Sequence, residues 1–100
     1  MSLILMTPQE MALHIAKLAQ TKRLAHNFSQ KTLSERSGVS FGVIKKFERT
    51  GRISLESLLK IAMTLNAFDA FYELFKAASP EQLRSLDELL KDDTRKRGRM

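Results

Sequence analysis

Apolar residues along this chain recur at spacings of three and four rather than in alternation, so the pattern predicts helices from end to end. Thr7-Pro8-Gln9-Glu10 reads as a capping box with proline at the first helical position, and Met6 and Met11 are placed to form a hydrophobic staple around it. The helix it opens is expected to run to about Ala25, with Met11, Ile15, Leu18 and Leu24 on one side. Ser29 suits the cap of a second helix ending near Ser37, and Gly38 suits the left-handed turn behind it. Ser40 caps a third helix ending near Thr50-Gly51, and Ser54 a fourth that carries Leu55, Leu58, Ile61, Ala62 and Leu65. Asp69 is expected to cap a short fifth helix through Phe71, Leu74 and Phe75. A second capping box, Ser79-Pro80-Glu81-Gln82, opens a sixth with Leu83, Leu86, Leu89 and Leu90, before a charged, fraying end from Asp92 to Met100. Only Leu3 to Met6 offers room for a short strand. The expectation is an all-α bundle of five to six helices, organised as residues 1–78 followed by a C-terminal helix and basic tail over 79–100.

Composition narrows the class. A chain of 100 residues suits one compact domain. It has no cysteine, which removes disulfides, thiolate metal sites and cysteine nucleophiles from consideration. The apolar start, Ser2 to Met6, is shorter than a signal-peptide core and lacks a basic flank, and no run approaches a membrane span. The expected location is the cytoplasm, with no membrane partner. His14 and His26 have no third ligand nearby in sequence, and there is no phosphate-binding glycine loop, nucleophile elbow or zinc-protease motif. Neither an enzyme nor a metal or other cofactor is expected.

Charge adds direction. The net charge is +6, but residues 17–52 carry nine Lys or Arg against two acids, whereas 53–94 carry four against eight. Arg95-Lys96-Arg97-Gly98-Arg99 is basic again. A basic segment beside an acidic one predicts one surface for a polyanion and another for something else. The basic part is also sharply patterned. At about 100° per residue, Phe41, Gly42, Lys45, Lys46 and Arg49 share one side of the third helix, and Val43, Ile44 and Phe47 the other. One side is fit for a core; the other offers cations, a small residue and an aromatic that a thymine methyl would suit. A tight glycine turn joins this helix to the one before, as a helix-turn-helix requires. Gln30 and Ser40, at the starts of the two helices, stand where a helix terminus can hold a phosphate.

The stretch resembles the XRE family, the Cro/repressor-type helix-turn-helix, over about residues 11–66. Ser29, Gln30, Leu33, Ser34, Gly38, Val39, Ser40, Ile44, Phe47 and Glu48 match its pattern in one register. Two positions depart from it: the glycine after the third helix comes one residue late, as Gly51, and Ile53 replaces the usual proline. The resemblance implies a lambda-repressor-like domain with its motif at about 29–49, contacting double-stranded DNA through Gln30, Ser40, Phe41, Gly42 and Lys46. Lys45 and Arg49 join them from the basic face. It also implies an internal ion pair between Arg23 and Glu48. The second half is similar to HipB-like antitoxins, repressors that pair with a HipA-type kinase toxin. A stand-alone or phage-type regulator is the alternative, and an adaptor that binds only protein is the alternative of another class. Phe68, Phe71, Tyr72, Phe75, Leu83, Leu86 and Leu90 exceed what a two-helix extension is expected to bury, so residues 67–90 are the expected seam of a homodimer or a toxin contact. A two-fold dimer calls for an inverted-repeat operator.

Overall fold

A computed structural model describes residues 5–77, together with Arg84 and Glu88, both helical and exposed. Five helices follow one another: α1 (Pro8–Ala25), α2 (Gln30–Ser37), α3 (Phe41–Thr50), α4 (Leu55–Thr64) and α5 (Asp69–Glu73). No strand occurs among the described residues, and none of their helices is long and apolar enough to cross a membrane. The sixth helix expected from Ser79, with Leu83, Leu86 and Leu90, and the basic tail lie outside the described residues.

The first four helices start where a hydroxyl can take up a free N–H of the first turn. Thr7 Oγ1 accepts from the Glu10 N–H at 3.1 Å, and the Thr7 N–H donates back to Glu10 Oε1 at 2.9 Å, closing the capping box. Ser29, Ser40 and Ser54 accept from the N–H groups of Thr32, Val43 and Ser57. α5 departs from expectation. Asp69 is its first helical residue; the cap is Phe68, which has no side-chain oxygen to offer. The carboxylate of Asp69 still lies in the first turn, where the helix dipole favours it.

Two glycines end α2 and α3 in the left-handed region, Gly38 at φ 79° and Gly51 at φ 81°. Gly51 meets a second demand. A Cβ there would lie 2.7 Å from backbone atoms of Ala12 and Leu13, so α1 passes this turn at a distance only glycine permits. The late position of the glycine is absorbed by Thr50, whose hydroxyl donates to the Lys46 carbonyl at 2.7 Å and accepts from the Arg52 N–H at 3.1 Å.

The core joins Ala16 of α1, Leu33 of α2, Val39 of the turn, Ile44 and Phe47 of α3, and Ile61 and Leu65 from the end of α4. α3 packs against both α1 and α2, and α2 also packs on α4. The inner side of α1 differs from the expected one. Leu18 and Leu24 are exposed; Ala16 and Arg23 are buried, and Ile15 and Ala19 pack beside them. At about 100° per residue, Leu18 and Leu24 fall on opposite flanks of the stripe that carries Ala16, Ala19 and Arg23. Leu55 is also exposed, at the first turn of α4.

Candidate nucleic-acid interface

The turn before α3 is held from within. Val39 puts its side chain in the core, its N–H donates to Ser37 Oγ at 3.1 Å, and its carbonyl accepts from Ser34 Oγ at 2.6 Å. α2 and α3 are thereby fixed to each other by a buried valine between two serine clamps. α3 buries Ile44, Phe47 and Glu48 and leaves Phe41, Gly42, Lys45, Lys46 and Arg49 exposed. Val43, placed on the inner side by periodicity, sits at the rim and is exposed. It lies on the flank of the buried stripe, farther from its centre than Ile44 or Phe47.

The exposed face is cationic and orderly. Phe41 is 46% exposed at the start of the helix, with Lys45 Nζ 5.4 Å from its ring centroid. That cation–π contact steadies the ring without covering it. Gly42 has open space around it. Lys46, Arg49 and Arg52 line a groove of about 620 Å³ against Gln9 and Glu10 of α1, and none of the three cations has an ion-pair partner among the described residues. Arg52 counts toward the basic segment but not among the expected contacts of the third helix, because it lies beyond that helix in a loop; only the fold carries it beside Arg49. The acid of that groove, Glu10, is held below the usual carboxylate range, first by the Thr7 N–H and then by the Thr7 hydroxyl. Its charge is spent on the helix cap.

Behind this face lies a polar unit. Arg23 Nε and Nη2 donate to Glu48 Oε2 and Oε1 at 2.7 and 3.0 Å, and Arg23 Nη1 donates to the Phe28 carbonyl at 2.7 Å. Both residues are 6% exposed. The guanidinium therefore ties α1, the α1–α2 turn and α3 together. Gln30, half-buried at the start of α2, donates from Nε2 to Glu48 Oε1 at 2.9 Å. Sequence reasoning had not joined Gln30 to that pair, since the two residues lie on different helices and both side chains have other ordinary uses. The Ser40 hydroxyl is engaged at the cap of α3.

The residues expected to meet a partner are less gathered. Tyr72 is 70% and Phe75 95% exposed, Phe68 is exposed and Phe71 half-buried. Lys76 stands over the Tyr72 ring at 4.0 Å and pairs with Glu73 at 3.1 Å. Leu83, Leu86 and Leu90 fall outside the described residues.

Compared with known families, residues 20–69 match the model of the helix-turn-helix family HTH_3, a segment that runs from the last third of α1 to the start of α5. A comparison with curated proteins finds no match. The matched segment contains the clamped turn, the two-sided α3 and both partners of the buried ion pair. The chain belongs to the XRE-type helix-turn-helix family, and it is a DNA-binding regulator.

Proposed function

We propose that this protein is a sequence-specific transcriptional repressor that binds an inverted repeat as a two-fold dimer, and that it is the HipB-like antitoxin of an operon it represses. The observation that carries the repressor reading is the division of α3, with Ile44 and Phe47 in the core and Phe41, Lys45, Lys46 and Arg49 facing out. A helix seated in this way can enter a major groove N-terminus first, with Phe41 and Gly42 nearest the bases and the cations along the phosphates. One such helix spans only a few base pairs. Affinities of about 10⁻⁸–10⁻¹¹ M, typical of specific regulators, therefore call for two copies. The basic face is committed to DNA, which leaves the exposed aromatics at Phe68, Tyr72 and Phe75 as the seam or the toxin contact.

Titration of the protein's own promoter against random duplex at several salt concentrations tests the repressor reading. The promoter should bind at least about 10³-fold tighter than random DNA, with log affinity falling linearly in log salt. Equal affinity for both would overturn sequence-specific repression. A HipA-like kinase encoded next door and co-purifying with the chain supports the antitoxin role; its absence favours a stand-alone regulator.

A further inference from the structure

The Glu48 carboxylate takes hydrogen bonds from two donor groups of different kinds. The pair with Arg23 links α1 to α3. The bond from Gln30 is not needed to satisfy a buried amide: Gln30 is the first residue of α2, half-buried, at an edge that water reaches. Its chemistry is nevertheless strict. A carboxylate accepts and cannot donate, so only the amide nitrogen of Gln30 can face it; the carbonyl oxygen would meet like charge. The sense of the Gln30 amide is set by the charge of Glu48, and Glu48 is held by a two-pronged guanidinium.

We propose that Glu48 is a positioning residue for DNA contact, fixing the Gln30 amide with its nitrogen on α3 and its second N–H free to meet the sugar–phosphate backbone. The inference rests on the reading of α3 as the DNA-facing helix. A free glutamine side chain loses much rotamer freedom when it is ordered. Here that ordering is complete before DNA arrives, so α2 and α3 offer one preset surface. The buried ion pair then does more than hold helices together: it orients a contact made by a third element.

Operator affinity and thermal stability of the full chain and of Gln30→Ala, Glu48→Gln and their combination test this. Gln30→Ala should weaken operator binding about tenfold, the worth of one hydrogen bond. Glu48→Gln should weaken it by about twofold, because two facing amides can pair either way round and only part of the population keeps the preset orientation. The combination should be no weaker than Gln30→Ala alone, because Glu48 acts only through Gln30. In the free protein, the side-chain amide protons of Gln30 should be distinct and slow to exchange, and should return to ordinary behaviour in Glu48→Gln. If Glu48→Gln does not fold, Arg23→Met/Glu48→Leu removes both charges together, and Gln30→Ala should cost clearly less than about tenfold in that background. Multiplying losses in folded variants, or Gln30 amide protons unchanged in Glu48→Gln, would overturn the proposal while wild-type binding stands. A wild type that binds no duplex at all overturns the DNA reading beneath it.

Discussion

The α2–turn–α3 unit and the segment around α5 are built on opposite terms. In the first, both helices have hydroxyl caps and left-handed glycine ends, Val39 is pinned from two sides, and the buried charges are matched donor to acceptor. In the second, the helix has five residues, no side-chain cap and nothing buried. Phe75 there has φ 65°, a conformation costing a bulky residue roughly 1–2 kcal/mol. The difference is one of completeness: the first region is closed by its own side chains, whereas the aromatics of the second stand exposed among the described residues.

The largest test of that contrast is the ion pair. With side chains only 8% and 5% exposed, it is no surface bridge. Replacing Arg23 or Glu48 alone with alanine should cost ~3–5 kcal/mol, because the survivor is left as an unpaired buried charge. Arg23→Met/Glu48→Leu should recover much of it in urea unfolding. A coupling under about 0.5 kcal/mol would place the pair among dispensable surface bridges and weaken the claim that the first region is self-contained.

The two glycine ends sharpen the same point. Gly51→Ala forces both a left-handed alanine and a collision with the α1 backbone, so a loss of about 3 kcal/mol is expected. Gly38→Ala pays only for the conformation, since nothing lies within 4 Å of its added carbon, and should lose about 1 kcal/mol. Equal losses at both positions would mean that α1 can draw back from the turn.

On DNA, the two ends of the exposed face of α3 should behave differently. Phe41→Ala should relax base preference at one operator position, worth roughly 1–3 kcal/mol. Lys46→Ala should weaken all sequences alike and lower the salt slope by about one. Unchanged base preference in Phe41→Ala removes the ring from sequence reading.

For α5, Tyr72→Glu and Phe75→Glu should change folding stability by less than about 0.5 kcal/mol at dilutions that hold the chain monomeric. In sedimentation at tens of micromolar the same changes should dissociate the proposed dimer. Loss of stability in the monomer would assign those rings to the core after all.

The smallest effect lies at the start of α1. Glu10 has its carboxyl lowered by Thr7, so its contribution is whole above the ordinary carboxylate range and fades as pH falls through the lowered value. Protection of the Thr7 N–H, which the Glu10 carboxylate accepts, should weaken there, and Glu10→Gln should remove that pH dependence.

Much of this was legible in the chain itself. Thr7, Ser29, Ser40 and Ser54 could be named as caps because a cap needs only a hydroxyl and an N–H a few residues on, and Gly38 because a left-handed end needs only a missing Cβ. The two faces of α3 followed from one period, and the register of Arg23 and Glu48 from the family pattern. Asp69 misled because an acid beside an aromatic run looks like a cap whether or not the preceding residue has already turned helical.

What the sequence could not order was contact between elements. Leu18 and Leu24 read as inner residues of α1, yet the stripe that α1 buries runs through Ala16 and Arg23, and both leucines lie outside it. Gln30 and Glu48 stand 18 residues apart, and their bond exists only because the clamped turn brings the start of α2 against the side of α3. Arg52 joins the basic groove by the same means. Local chemistry acts over a few residues and is written along the chain. The pairing of distant side chains depends on where helices cross, and here the crossings are set by packing around Phe47 and by a glycine that lets two backbones meet.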